Sequence, residues 1–160
     1  MVDRWDDREK AWDDEEKAWD DEEKALELNN DGVDFFEQGK FVEALACFNA
    51  SILLNPDDEE GWGHKGMSLY CLENYEGAIK CLDEAIRLEP QHDGAWYNKG
   101  SVLLELENYE ESLTCFNTSI MINSNCSACW HNKGVLFEEL GKNKEAILCF
   151  DTSIKLKEEN

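Results

Sequence analysis

The sequence predicts an all-α protein, a solenoid of four stacked helix-turn-helix hairpins preceded by a charged N-terminal helical extension. Three observations predict it. Identical or similar residues recur every 34 positions over most of the chain. Within each stretch of 34, apolar residues recur at helical spacing. Ahead of them, three near-identical heptads run into the first stretch with no Gly or Pro between.

The period is carried by four residue types in one register. Gly32, Gly66, Gly100 and Gly134 keep it, as do Ile52, Ile86, Ile120 and Ile154, and Cys47, Cys81, Cys115 and Cys149. Trp62, Trp96 and Trp130 follow the same step, with Leu28 one unit earlier. The units are residues 25–58, 59–92, 93–126 and 127–160, after an extension over 1–24.

The extension reads RWDDREK-AWDDEEK-AWDDEEK over residues 4–24. Asp6–Lys10, Asp13–Lys17 and Asp20–Lys24 are acid-before-base pairs four apart, the favourable order on a helix. One helix from about Asp3 to Gln38 follows. Trp5, Trp12, Trp19 and Leu26 form its apolar stripe, flanked by Ala11, Ala18 and Ala25. With Trp at position a, Arg8, Glu15 and Glu22 fall at d, which defeats a coiled-coil seam. The segment is a solvated charged helix that frays, a surface for a partner through the Trp stripe, or a disordered extension.

Each unit then reads as two helices. In the third, Ala95, Trp96, Lys99, Gly100, Leu103 and Leu106 space the first helix, and Glu107 and Asn108 interrupt it. Leu113, Phe116, Ile120 and Ile122 form the inner face of the second. Small residues mark where paired helices approach: the four glycines, facing Ala44, Ala78, Ser112 and Ala146. A helix-interior glycine costs about 1 kcal/mol against alanine, so four in register imply close backbone packing. Pro56 and Pro90 close the first two units, and Asp93 and Ser127 are expected to cap the next helices.

This pattern resembles the tetratricopeptide repeat, a family of stacked helical hairpins with Trp, Leu-Gly, Tyr, Ala, Phe, Ala and Pro at fixed places in 34 residues. The second unit supplies Trp62, Gly66, Leu69, Tyr75, Ala78, Leu82, Ala85 and Pro90; the third supplies Trp96, Gly100, Leu103, Tyr109, Ser112, Phe116 and Ser119. The first has Gly32, Phe35, Phe41, Ala44, Phe48, Ser51 and Pro56 but no Trp. The fourth has Trp130, Gly134, Phe137, Ala146, Phe150 and Ser153, with Asn143 in place of the aromatic and no proline. Lys65, Lys99 and Lys133 stand where the family usually has Leu, and read as half-exposed stems. The resemblance implies a right-handed superhelix whose stability comes from stacking neighbours.

Composition narrows the partners. With 37 Asp+Glu against 15 Lys+Arg, the formal charge is −22. This argues against nucleic acid and against anionic membranes, both of which are held by basic residues. The N-terminus lacks the basic start and apolar stretch of a signal peptide. Seven cysteines, an odd number, fit a reducing interior, so a cytoplasmic location is expected.

No catalytic arrangement, cofactor or metal site is expected. Cys126-Ser-Ala-Cys129 is a C-x-x-C without a second pair to complete a zinc site and without a βαβ setting. The seven cysteines are read first as structural thiols, with a redox or metal role for Cys126 and Cys129 the less favoured alternative. His64, His92 and His131 are dispersed.

The resemblance implies that first helices line a concave groove, with positions 2, 5, 6, 9, 12 and 13 of each unit facing it. Those positions include Asn29, Asn30, Val33 and Phe36, then His64, Met67 and Tyr70. Tyr97, Asn98, Ser101 and Leu104 continue it, followed by His131, Asn132 and Val135. Asn30, Asn98 and Asn132 share position 6, and such amides can hold an extended peptide backbone. Family members that clamp chaperone C-terminal carboxylates use Lys and Arg where this chain has Gly63, Gly94, Tyr97, Ala128 and His131. Glu37, Glu105 and Glu139 make the groove edge negative, so a neutral, apolar or basic protein or peptide is the expected partner. Self-assembly is the alternative function. The last helix ends without a polar cap over Ile147, Phe150, Ile154 and Leu156, and Trp5, Trp12 and Trp19 could cover Ile147 and Ile154 of another copy.

Overall fold

The computed structural model describes the backbone of residues 3–159 and the side chains of residues 17 and 19–159. The side chains of Trp5, Trp12, Ala11 and Ala18, and the pairs involving Asp6 and Asp13, lie outside the described residues. The elements are α1 (Asp3–Glu37), α2 (Phe41–Leu54), α3 (Glu59–Cys71), α4 (Tyr75–Leu88), α5 (Asp93–Glu105), α6 (Tyr109–Ile122), α7 (Ser127–Glu139) and α8 (Asn143–Glu158). The expected long helix is α1, and it runs unbroken from the heptads into the first hairpin. Asp20 and Lys24 do not close into an ion pair.

Consecutive helices pack into four hairpins, and each hairpin packs on the next. The odd-numbered helices also touch one another in succession, α1 on α3, α3 on α5 and α5 on α7, whereas among the described residues no two even-numbered helices meet. Neighbours on the inside of a curve lie closer than those outside. The odd helices are therefore the inner layer and the even helices the outer one.

The glycine period is explained by this pairing. A Cβ on Gly32, Gly100 or Gly134 would lie 2.6–2.7 Å from Phe48, Phe116 or Phe150, and one on Gly66 would lie 2.9 Å from Leu82 Cγ. Hydroxyls lace the same hairpins: Ser51 Oγ donates to the Ala25 carbonyl at 2.7 Å, Ser119 to Asp93 at 2.9 Å and Ser153 to Ser127 at 2.8 Å. The core of the second hairpin, Leu69, Ala78, Cys81 and Leu82, is continuous with its neighbours through Leu45 of α2 and Val102 of α5.

All four hairpin turns share one geometry. The residue two past the first helix is left-handed in each: Gly39 and Gly141 at φ 73° and 69°, Glu73 and Glu107 at φ 59° and 57°. In each, its amide and the next one fold back on the helix, as in Gly39 N–H to Phe36 at 2.9 Å and Lys40 N–H to Phe35 at 2.9 Å. Trp62 and Trp96 are half-buried and hold the turns between hairpins, with Nε1 donating to the Pro56 and Pro90 carbonyls at 2.9 and 3.0 Å. The lysine stems lie as expected: Lys65 and Lys133 cover the Trp62 and Trp130 rings at 4.9 and 5.0 Å, and Lys99 pairs with Asp83 at 2.7 Å.

Two expectations are corrected. The caps of α5 and α7 are His92 and Cys126, not Asp93 and Ser127, because the His92 Nδ1 and Cys126 Sγ accept the Ala95 and Cys129 amides at 3.4 and 3.1 Å. Cys126 and Cys129 are not free thiols but a disulfide, their Cα atoms 5.3 Å apart across the first turn of α7. Cys47, Cys71, Cys81, Cys115 and Cys149 are free.

Candidate functional site

The inner layer presents three recesses along α1, α3, α5 and α7. The first, about 280 Å³, is floored by Val33, Phe36, Phe48 and Met67 and edged by Glu37 and His64. Phe36 is braced edge-on by Phe41 at 5.3 Å. His64 stacks on Phe48 at 5.3 Å, and its Nδ1 lies 3.2 Å from Asn29 Oδ1, where a ring protonated on Nδ1 donates to the amide oxygen. Asn29 is buried beneath it. Burial holds the His64 pKa below its ordinary value; the nearby His92 adds to this, while Glu60 and Asp58 oppose it.

The second recess, about 160 Å³, is of mixed polar and apolar lining and lies between α3 and α5. Glu60, Gly63, His64, His92, Ala95 and Asn98 line it. His92 accepts the Ala95 amide on Nδ1, so its neutral ring carries the proton on Nε2. Gly63 opens this space, since a Cβ there would meet nothing nearer than His92 Nε2 at 3.9 Å.

The third recess, about 260 Å³, joins Leu104, Tyr109 and Val135 to three carboxylates, Glu105, Glu107 and Glu139. Tyr70 reaches Glu105 Oε1 with its hydroxyl at 3.4 Å, and burial, then Glu105, pushes its pKa up.

The position-6 side chains do not behave alike. His64 is tied back to Asn29, and Asn132 donates to Tyr97 Oη at 3.3 Å and Ser101 Oγ at 3.1 Å. Ser101 is in turn bonded to the Tyr97 carbonyl at 3.0 Å. Asn98 lines the recess opened by Gly63, which has no side chain to offer, and the Asn98 side chain has no hydrogen-bond partner among the described residues. Asn30 and His131 are exposed, with His131 against Phe150 at 5.3 Å. Sequence reasoning missed His92, Gly63, Glu107 and Tyr109. The visible signal was Gly63, a gap where the neighbouring units carry Asn29, Tyr97 and His131.

Among the described residues no three His, Cys, Asp or Glu side chains gather to hold a metal ion, and no helix is long and apolar enough to cross a membrane. The ladder thiols are desolvated; burial pushes Cys115 up to about 11, against the opposing pull of Lys99.

The fold is that of several solved structures. A crystal structure of MamA superposes with a TM-score of 0.76 at 19% identity, covering 84% of this chain and 79% of that one. MamA from Desulfovibrio magneticus RS-1, residue 41 to the end, gives 0.73 at 23% identity over 86% and 77%. The first TPR of Spaghetti (RPAP3), bound to the HSP90 peptide SRMEEVD, gives 0.72 at 20% identity over 75% and 95%. A sequence search among curated proteins returns no match. Two family models, each described as tetratricopeptide repeat, match residues 64–120 and 127–160, together more than half of the chain. The chain belongs to the tetratricopeptide repeat family.

Proposed function

We propose that the protein is a non-enzymatic interaction module whose inner groove binds an extended peptide carrying an apolar side chain near a basic one. One observation carries this: the apolar cavity at Val33, Phe36 and Met67 and the acidic recess at Glu105, Glu107 and Glu139 lie on one layer of helices. The cavity fits an apolar anchor, the carboxylates a Lys or Arg, and Asn98 between them offers a free amide. The similar fold bound to SRMEEVD supports a peptide as ligand. That peptide is acidic at its end, and groove positions 2, 5 and 6 here carry no Lys or Arg. Recognition of the opposite charge follows. The five free cysteines support the cytoplasm as its compartment.

A displayed library of random peptides tests the reading. Selected sequences should combine an aliphatic or aromatic residue with Lys or Arg. Asn98→Ala, together with Asn132→Ala, should weaken them at unchanged stability. Selection of acidic peptides, or unchanged binding, sinks the proposal.

A second reading, self-assembly, is favoured by exposure at both ends. Trp19 is 75% exposed on α1, and Ile147 and Ile154 are 58% and 55% exposed on α8. A head-to-tail contact would bury them, and salt should strengthen it by screening the acidic surfaces. Sedimentation as a monomer in about 0.5 M salt at about 100 μM would contradict it.

A further inference from the structure

We infer that Cys126 and Cys129 form a reversible thiol–disulfide centre, reduced by a dithiol, that fixes or frees the first turn of the helix bearing the fourth hairpin's share of the groove. The junctions between hairpins show why these two sulfurs meet. The residue capping each first helix lies over the residue three further on: a Cβ on Gly61 would strike Asp58 Oδ2 at 2.6 Å, and His92 Nδ1 accepts the Ala95 amide. Asp58 and Gly61, or His92 and Ala95, satisfy that geometry without a covalent link. At the third junction the same two positions are Cys126 and Cys129, and they are bonded.

The two sulfurs differ in the way exchange chemistry requires. Cys126 is half-buried in the capping position at the junction surface, and its Sγ receives the Cys129 amide at 3.1 Å. Cys129 is fully buried, with Ser119 Oγ 3.0 Å from its sulfur. A thiolate of the dithiol attacks Cys126 Sγ, the S–S bond breaks, and Cys129 leaves as a thiolate that takes a proton released by the reductant. The second thiolate then attacks its own partner sulfur, closes a cyclic disulfide and releases Cys126, which takes the second proton. Two electrons and two protons pass from the dithiol to the protein. The five free cysteines lie in other hairpins or on α8 and are not bonded to one another: Cys81, Cys115 and Cys149 are buried, Cys47 and Cys71 half-buried, and burial raises all five.

The consequence falls on the groove. With the disulfide open, the cap is held to α7 by hydrogen bonds alone, the N–H···S contact from Cys129 and the Trp130 amide on the Cys126 carbonyl at 3.3 Å. That helix carries Asn132, which is bonded to Tyr97 and Ser101 on α5. The oxidised pair therefore stiffens the fourth hairpin's end of the site, and reduction loosens it. Disulfides in reducing compartments are characteristically transient ones of this kind.

The test uses the full chain equilibrated in mixtures of reduced and oxidised dithiothreitol, quenched with iodoacetamide without denaturant. A single two-electron transition should appear, the same from either direction, with redox-dependent native alkylation confined to Cys126 while the half-buried free thiols Cys47 and Cys71 label alike in every mixture. Exchange of the Cys129 and Trp130 amides should quicken at least about tenfold on reduction, while Ala95 and Trp96 are unchanged. Cys129→Ser should leave Cys126 labelled in every mixture. If that variant does not fold, the wild-type titration still decides. A pair that opens only in denaturant, that fails to re-form, or that opens without changing amide exchange overturns the inference.

Discussion

Gly100→Ala and Gly63→Ala, the same chemical change on neighbouring inner helices, should move stability in opposite directions. Each replaces a helix-interior glycine, so each gains about 1 kcal/mol of helix propensity. At Gly63 the added methyl meets nothing nearer than His92 Nε2 at 3.9 Å, an ordinary contact, so about 0.5–1 kcal/mol of that gain should survive. At Gly100 it would lie 2.7 and 2.8 Å from Cε1 and Cδ1 of Phe116 and 3.2 Å from Cys115 Cβ. Phe116 has no exposed surface, so its ring can yield only by moving the hairpin. With the ring unable to give way, the cost falls in the upper part of the usual overpacking range, about 2–3 kcal/mol, leaving a net loss of about 1–2 kcal/mol after the propensity gain. Urea unfolding followed by circular dichroism, with m-values checked for constancy, reads both. A Gly100→Ala variant as stable as the parent would refute the claim that the glycine period exists to let helices close.

Glu107→Gly should stabilise by about 0.5–1 kcal/mol, since it relieves a left-handed non-glycine residue at φ 57° while costing some unfolded-state entropy; a loss in thermal unfolding would contradict this. His64 has a folded pKa below 6.5, so the unfolded chain binds more protons as pH falls through that value. Stability at about pH 5.5 should therefore drop more, relative to about pH 7.5, in the parent than in His64→Asn, and equal drops would show that the ring is not desolvated. Trp96→Ala empties a half-buried site and orphans the Pro90 carbonyl, with an expected cost of about 3 kcal/mol in urea unfolding. A cost under about 1 kcal/mol would mean that Trp96 does not hold the turn between hairpins.

The fold was readable because stacking repeats the same physical demands every 34 residues. The register of Gly32, Gly66, Gly100 and Gly134 shows before any coordinate is known that helices close there, whereas the side chains they admit, Phe48, Leu82, Phe116 and Phe150, come from the packing and not from the small residues the sequence suggested. The α1 helix was equally legible, having no Gly or Pro from Asp3 to Asp31 to stop it. The site was less so. Position 6 suggested an even ladder of amides, yet whether an amide is free depends on its neighbour one repeat back. Asn132 meets Tyr97 and Ser101 and is occupied; Asn98 meets Gly63 and is not. The caps shifted by one residue because His92 and Cys126 accept the amide that Asp93 and Ser127, already inside the helix, cannot. The Cys126–Cys129 bond was missed for a related reason. A C-x-x-C with no second pair and no strand before it has no family signature, and only the cap geometry brings its sulfurs together.

The most direct test of groove recognition is amide and methyl NMR mapping of a selected apolar-basic peptide on the labelled full chain. Shifts should concentrate at Val33, Phe36, Met67, Asn98 and Val135 on the inner helices, and Glu105→Lys with Glu139→Lys should weaken the peptide at least about tenfold through charge reversal. Shifts confined to the outer helices, for example at Val42, Leu53 and Met121, with no effect of the charge reversal, would contradict a binding site in the inner groove.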